Sequence, residues 1–282
     1  MIVSFHPLFE ADKNIICAGR EPNTDDLAAI AAAEAVILHQ GCRQTLYEMA
    51  AKNCKHVFPN YGARFNFPGK IGQIHLFRKT GTAHPATELY SSVADFKQHY
   101  GASPGNISFG LPCVFKFDWG GEGQTVYLLN SRKDLRQVLE KAAIFEKSGQ
   151  KGFLLQQYLP ANGKTLRIAI IGQALISYWR IQQSNNGFMS SVSRGAHIDT
   201  ASQPELQNAA RVFIHDFCAK TGIDLAGFDV IFPAEPESSQ PLLLEINYFF
   251  GRKGLGGSDA YYEILKREIH KWLAHVLGRQ YG

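Results

Sequence analysis

No stretch of the 282-residue sequence approaches the roughly 18–20 consecutive apolar residues needed to span a bilayer. The opening residues, Met1-Ile2-Val3-Ser4-Phe5-His6-Pro7, lack the basic flank and apolar run of a secretory signal. Cysteine is sparse as well: Cys17, Cys42, Cys54, Cys113 and Cys218 are odd in number, scattered and without a C-x-x-C, so neither a disulfide framework nor a zinc cage is suggested. Charge of one sign is missing, since a net +4 from 29 basic and 25 acidic residues is too small and too mixed to mark a nucleic-acid surface. These absences lead to the expectation of a cytoplasmic protein with reduced thiols and neither membrane nor nucleic acid as partner; a homo-oligomer stays open. An apolar fraction of 45% at this length supports one sizeable core or two joined ones and excludes disorder.

The apolar runs 14–17 and 35–38, a helix beginning at Thr24 with Asp25 and Asp26 in its first turn, a second helix over 43–52 and the run 55–59 alternate as in a small parallel α/β unit of three or four strands before Pro68. Gly and Pro punctuate 61–70, and a helical stretch follows over 69–79. From about 109 the texture changes to short apolar stretches broken by glycine turns. Residues 111–117 and 125–129 read as a hairpin with a Gly-rich tip, and Ser131 opens a helix to 147 whose face is Leu135, Val138, Leu139 and Ala142. Strands follow over 153–158, 166–171 and 174–179, the last two joined by Gly172-Gln173. Ser202-Gln203-Pro204-Glu205 has capping-box form, and Leu206, Ala210, Phe213 and Phe217 continue one helix face to Gly222. The final elements are strands over 227–232 and 242–247 and a helix with the stripe Tyr262, Leu265, Ile269, Trp272 and Val276.

If Phe232 faces Leu242 in an antiparallel pair, Asp229 faces Glu245, and Asn247 shares their face. Like charges so close are destabilising unless something offsets them, and two carboxylates with an amide oxygen form a hard, all-oxygen set suited to Mg²⁺. The alternative is that one acid ends its strand in solvent with the register displaced by one residue. Lys116 precedes Gly120-Gly121-Glu122-Gly123, where free backbone N–H groups suit an anion; a plain turn with a solvated lysine is the competing reading. Gly163-Lys164-Thr165 has the ending of a phosphate loop but Tyr158 stands where its first glycine belongs, and the glycines of 251–257 lack dinucleotide spacing. The histidines read as surface or packing residues, and Cys42 as a buried small hydrophobe rather than an activated thiol.

Gly69-Lys70-Ile71, Pro112-Cys113-Val114-Phe115-Lys116, the glycine loop, Leu155-Gln156-Gln157-Tyr158-Leu159, Leu166-Arg167, the stretch 188–196, Gly227-Phe228-Asp229-Val230-Ile231 and Leu244-Glu245-Ile246-Asn247 occur in an order that resembles the ATP-grasp superfamily. The likeness covers about residues 69–275 and is to the branch of RimK-type and glutathione-synthetase-like ligases, with the Asp and Glu-x-Asn spacing as its most specific part. The resemblance implies an α+β fold in which two α+β subdomains clamp ATP after a small partial α/β domain: 1–68, then 69–282, with a lid over about 109–158 and a C-terminal subdomain over 159–282. It implies a carboxylate–amine ligase working through an acyl phosphate, with ATP and one or two Mg²⁺ (Mn²⁺ being an acceptable substitute) and small-molecule acid and amine substrates. An ATP-grasp kinase and a non-catalytic ATP-binding module are the alternatives.

By the same resemblance, Lys70 and Lys116 contact phosphates under the loop Gly120, Gly121, Glu122 and Gly123, and Gln156, Gln157, Tyr158 and Leu159 form the adenine hinge. Arg167, Arg180 and Arg194 lie near the transferring phosphate, and Asp229, Glu245 and Asn247 hold the metal. Gln157 replaces an acid of the family, and Thr165 replaces the one that holds ribose. Phe188-Met189-Ser190-Ser191 lacks a basic residue and an amide found in RimK-like chains. After Asn247 the run Tyr248-Phe249-Phe250-Gly251-Arg252-Lys253 replaces the usual small residue, Pro and Gly, so glutamate is not carried over as substrate. Arg252 and Lys253 either grip an acidic substrate or are solvated.

Overall fold

The computed structural model describes residues 1–17, 19–101, 107–120, 124–182, 196–234 and 238–278. The first unit is a four-stranded, all-parallel sheet of order β2-β1-β3-β4, built from β1 (Ile2–Ser4), β2 (Lys13–Asn14), β3 (Ala35–Ile37) and β4 (Val57–Phe58). Ala35, Val36 and Ile37 are all fully buried, the pattern of a parallel strand covered on both faces. Helix α1 (Thr24–Ala31) starts at a capping box in which the Asn23 side chain accepts from Asp26 N while the Asp26 carboxylate accepts from Asn23 N. Helix α2 (Gln44–Asn53) precedes β4, and the punctuated segment after it holds the short helix α3 (Gly62–Asn66).

Helix α4 (Gly69–Thr80) leads to a second, antiparallel sheet of order β5-β8-β6-β7, formed by β5 (Thr87–Tyr90), β6 (Cys113–Phe117), β7 (Val126–Leu129) and β8 (Phe153–Gln157). Helices α5 (Val93–Tyr100) and α6 (Arg132–Lys147) cover it, with Leu135, Val138, Leu139 and Ala142 of α6 buried as the sequence pattern requires. Strand β5 and helix α5 are not anticipated by the sequence pattern of apolar residues, although Ser92 caps α5 by accepting from Asp95 N. Four residues alternate too briefly, and α5 buries only Val93 and Phe96.

The third sheet, also antiparallel, has the order β11-β10-β9-β12-β13: β9 (Lys164–Ile171), β10 (Ala174–Ile181), β11 (His197–Asp199), β12 (Leu225–Ile231) and β13 (Leu242–Asn247). Leu166, Ile168, Ile170, Phe228 and Val230 pack against α4 and α7 (Pro204–Thr221). Ala169, Ile171 and Leu225 pack against α8 (Ser258–Leu277) and against Ile2, Ala35, Ile37 and Phe58 of the first unit. Among the described residues no helix is long and apolar enough to cross a membrane.

Two helix readings are corrected. No capping box opens α7: Ser202 makes no side-chain cap, Gln203 takes the cap position at φ +52°, and Pro204 begins the helix. The residue before a proline is disfavoured in right-handed helical backbone, and Gln203 adopts the left-handed region instead of serving as the first helical residue that a Ser202 cap requires. The buried face of α7 is Gln207, Ala210, Ile214, Phe217 and Cys218, with Leu206 and Phe213 at its margin. On α8 the buried face is Tyr261, Leu265, Glu268, Ile269 and Leu273, about one residue round from the expected stripe, with Tyr262 and Trp272 beside it. Both helices bury a polar residue that an apolar pattern does not register. Gln207 accepts from Ser177 Oγ at 2.7 Å, and Glu268 takes Lys271 Nζ at 2.8 Å under the turn at Gly172. A Cβ on Gly172, at φ +60°, would lie 2.8 Å from Glu268 Cβ.

Asp224, just before β12, ties the first unit to this sheet by accepting the backbone N–H of Asn60 at 2.8 Å. Burial pushes its carboxyl up to about 7, against the pull of that hydrogen bond. A raised acid makes folding most favourable when protonated, so its contribution is full below about pH 4 and is lost as pH rises through 7. Asp224→Asn is expected to remove this dependence. Wild type should lose up to about 1.4 kcal/mol of stability per pH unit relative to the variant between pH 4 and 7, read from urea midpoints.

Candidate functional site

A row of side chains crosses the third sheet. Arg167 on β9 stands opposite Tyr178 on β10 and Asp229 on β12, and Asp229 stands opposite Glu245 on β13. The expected carboxylate pair is therefore present, but not by the expected route. Leu242 faces Ile231 rather than Phe232, and an irregularity between Asp229 and Val230 leaves Leu244 unmatched before Glu245 comes opposite Asp229. One extra residue in a strand shifts the pairing beyond it, and no apolar alternation announces where it falls.

Asp229 accepts from Arg167 Nε at 2.7 Å and Nη2 at 3.2 Å, from Arg180 Nη2 at 2.6 Å and from Asn247 Nδ2 at 3.2 Å. Burial would raise its pKa, but the two guanidinium charges and their hydrogen bonds outweigh that and hold it at about 2. Glu245 differs. It is half-buried, and among the described residues its carboxylate has neither a hydrogen-bond nor an ion-pair partner. Arg180 also donates to Thr165 Oγ1, from Nε at 3.2 Å and Nη2 at 3.0 Å, which ties Thr165 to the arginine pair.

The second sheet supplies positive charge. Lys116 on β6 is buried, and burial pushes its ammonium down; Glu245 and Asp229 are close enough to pull it back up, and Lys70 close enough to push it down further. Lys70, in the first turn of α4, donates to Gly120 O at 2.9 Å. Gly120 has φ +84°, and a Cβ there would meet Thr125 Cγ2 at 2.5 Å, so the turn admits only glycine without rearrangement. Gln156 is buried with its amide committed to Thr87 Oγ1 at 3.0 Å, while Gln157, Tyr158 and Leu159 are half-buried at the exit of β8. Gly121, Glu122, Gly123 and Arg194 lie outside the described residues, as does 188–195 of the stretch compared with RimK-like chains.

Beyond β13 a cavity of about 420 Å³ is lined by Gln40, Phe249, Phe250, Arg252, Lys253 and Ser258, among others. The Arg252 guanidinium lies 4.5 Å from the ring centroids of Tyr261 and Tyr262, and among the described residues neither Arg252 nor Lys253 has an acidic partner. Phe250 joins this cavity to the carboxylate row: a Cβ on Gly227 would meet Phe250 Cβ at 2.9 Å and Arg167 Nη1 at 3.1 Å. Sequence reading missed Gln40, which donates to Tyr248 O at 2.7 Å, and Arg64, which lies over the Phe249 ring at 4.9 Å and donates to Gln40 O at 2.9 Å. Neither sits in a motif, and their partners are far away in the chain. Cys42 is buried with its thiol pushed up to about 12 by burial, which excludes an activated nucleophile.

Among the described residues no group of three or more His, Cys, Asp or Glu is placed to hold a metal ion. A cation at this site would therefore rest on Asp229, Glu245 and the amide oxygen of Asn247. The donor set is all oxygen, as Mg²⁺ prefers, and Glu245 offers that ion an unpartnered carboxylate among the described residues; both Asp229 oxygens already take two donors each, so Asp229 and Asn247 would exchange some of those contacts for the ion.

The family description "RimK-like ATP-grasp domain" matches residues 69–267. A protein of Parasynechococcus marenigrum named "Probable alpha-L-glutamate ligase" is 27% identical over 187 residues, which cover 66% of this chain and 37% of that one. The chain spans 37%, 59% and 57% of the length of three such curated relatives. Among solved structures, a RimK domain ATP-grasp protein from Sphaerobacter thermophilus has a TM-score of 0.58 at 12% identity, over 95% of this chain and 98% of that one. The D-alanine–D-alanine ligase of Bacillus anthracis has a TM-score of 0.59 at 13% identity, over 94% of this chain and 86% of that one. At such identities the two structures speak for the shared fold.

Proposed function

This chain belongs to the RimK-like ATP-grasp family, and from that premise we propose that it is an ATP- and Mg²⁺-dependent ligase that joins a small-molecule carboxylate to an amine through an acyl phosphate. The observation that carries the reading is the row Arg167, Asp229 and Glu245, with Lys116 brought to it from another sheet. Phosphoryl transfer asks little covalent work of a protein and much positioning of charge, which this arrangement supplies. Lys70 and Lys116 would hold the triphosphate beside the turn at Gly120. Backbone groups of Tyr158 and Leu159 would pair with the adenine edge, and Gln156 and Gln157 would shape that hinge. Asp229, Glu245 and Asn247 would hold Mg²⁺, which when bound neutralises charge on the transferring phosphate. Arg167 and Arg180, with Arg194, would steady the phosphate and the acyl phosphate, and Thr165 would orient Arg180. Arg252 and Lys253 would receive the carboxylate substrate in the cavity beside Phe250.

The test is product analysis with Mg·ATP and a panel of acids and amines. ADP and phosphate are expected only when an acid and its amine are both present, and hydroxylamine should intercept the activated acid as a hydroxamate. Phosphate found on a stable hydroxyl product would make the protein a kinase, and Mg·ATP bound without consumption across the panel would make it a binding module.

A further inference from the structure

Strand β13 lies at the edge of the third sheet, so residues not hydrogen-bonded to β12 direct their backbone N–H and C=O outward, Leu243 and Ile246 on either side of the irregularity among them. At Ile246, between Glu245 and Asn247, those outward groups are both taken by one side chain. Gln73 of α4 accepts from Ile246 N at 2.8 Å and donates from Nε2 to Ile246 O at 2.9 Å. The amide thus stands where a neighbouring strand would be, and the Ile246 side chain is buried in the core on the other face from Glu245. Residues 70 and 73 are three apart on one helix, so Lys70 and Gln73 share a face of α4. The start of that helix is itself gripped, Ile71 N donating to Asp118 Oδ1 at 2.7 Å and Lys70 Nζ to Gly120 O at 2.9 Å. One turn of helix therefore links the glycine loop of the second sheet to the carboxylate strand of the third.

We infer that Gln73 is a positioning residue: its two-point hold on Ile246 fixes Glu245 and Asn247 relative to Asp229 and to Lys70, so that the oxygen set is formed before a cation arrives. The inference rests on the proposed reading of that set as a cation site. A backbone held at both its donor and its acceptor has little freedom to rotate the side chains on either side of it, and groups that orient ligands from behind commonly contribute tenfold or more to metal affinity.

The probe is Mn²⁺, titrated into the full chain with ADP present and followed by electron paramagnetic resonance. Gln73→Met keeps length and volume but neither hydrogen bond, and it is expected to weaken Mn²⁺ binding by about tenfold. Gln73→Glu keeps the bond from Ile246 N and loses the other; it is expected to fall between, and serves should the Met variant not fold. Glu245→Gln separates the two levels of the argument. If it leaves Mn²⁺ binding unchanged, the cation-site reading fails and takes this inference with it; if it weakens binding while both Gln73 variants bind as wild type, only the role of Gln73 is overturned. In the double variant Gln73→Met with Glu245→Gln, a residue acting through Glu245 adds little further loss, whereas full additivity would show that Gln73 acts elsewhere and overturn the inference.

Discussion

Glu245→Gln is expected to cut ATP turnover with the cognate acid and amine by about 10²–10³, while leaving thermal stability at the wild-type level. The two halves of this expectation have one cause. Among the described residues the Glu245 carboxylate has no partner in the fold, and it stands directly across the ladder from Asp229, which is held ionised. Glutamine keeps its volume, breaks no hydrogen bond or ion pair among the described residues, and removes a like charge beside Asp229, which offsets the lost attraction to Lys116. What is lost is the charge that would meet a metal, and one preorganised group at a site of developing charge is worth about 3–4 kcal/mol of transition-state stabilisation. Calorimetric melting beside a Mg²⁺ titration of turnover checks both halves. Full turnover in the variant would remove Glu245 from the site.

Asp229→Asn should behave in the opposite way, failing first as a fold. Its carboxylate takes three guanidinium contacts from Arg167 and Arg180, whose side chains are only 8% and 11% exposed. Without the anion two cations remain buried beside one another, and breaking a buried pair from one side costs about 3–5 kcal/mol. For a chain of this size that corresponds to a fall in Tm of roughly 6–20 °C. Replacing Arg180 alone should cost less, because Arg167 still holds Asp229 at two points. The pH dependence follows from the depressed pKa. The contribution of Asp229 is present above the ordinary carboxylate value near 4 and is lost as pH falls through about 2, so melting curves of wild type should lose ground to the Asn variant only under strong acid. A variant melting with wild type at neutral pH would show that the arginines find another anion.

The contrast between these two acids was only half legible in advance. That Asp229 and Glu245 oppose each other followed from their places in two apolar runs, yet the pairing assumed for it, Phe232 with Leu242, is not the one formed. The offset is absorbed by a bulge, and a bulge is chosen by how strand and sheet pack, which alternation along one strand does not encode. That one acid would be gripped by two arginines and the other left open was not legible either, because Arg167, Arg180 and Asp229 meet only once three strands pair. The same applies to Gln207 and Glu268. Gln207 enters its buried face because Ser177 of β10 satisfies it, and Glu268 because the backbone N–H of Gln173 joins Lys271 of its own helix; Ser177 and Gln173 are invisible from within the helices.

Local pattern by itself settled α1, β3 and α2 in the first unit, though not β1, nor β2, which is Lys13–Asn14 rather than the run 14–17; it also settled the amphipathic face of α6, the stop of α7 at Gly222 and the presence of two acids and an amide late in the chain. These depend on hydrophobic period, capping and backbone freedom, which act between residues a few positions apart. Tertiary structure alone decided the short strand β5, the bulge, the reach of Gln40 and Gln73 to distant backbone, and which carboxylate is already neutralised. Those are meetings between segments far apart in the chain, set by which surfaces bury together and which polar groups are then left to satisfy one another.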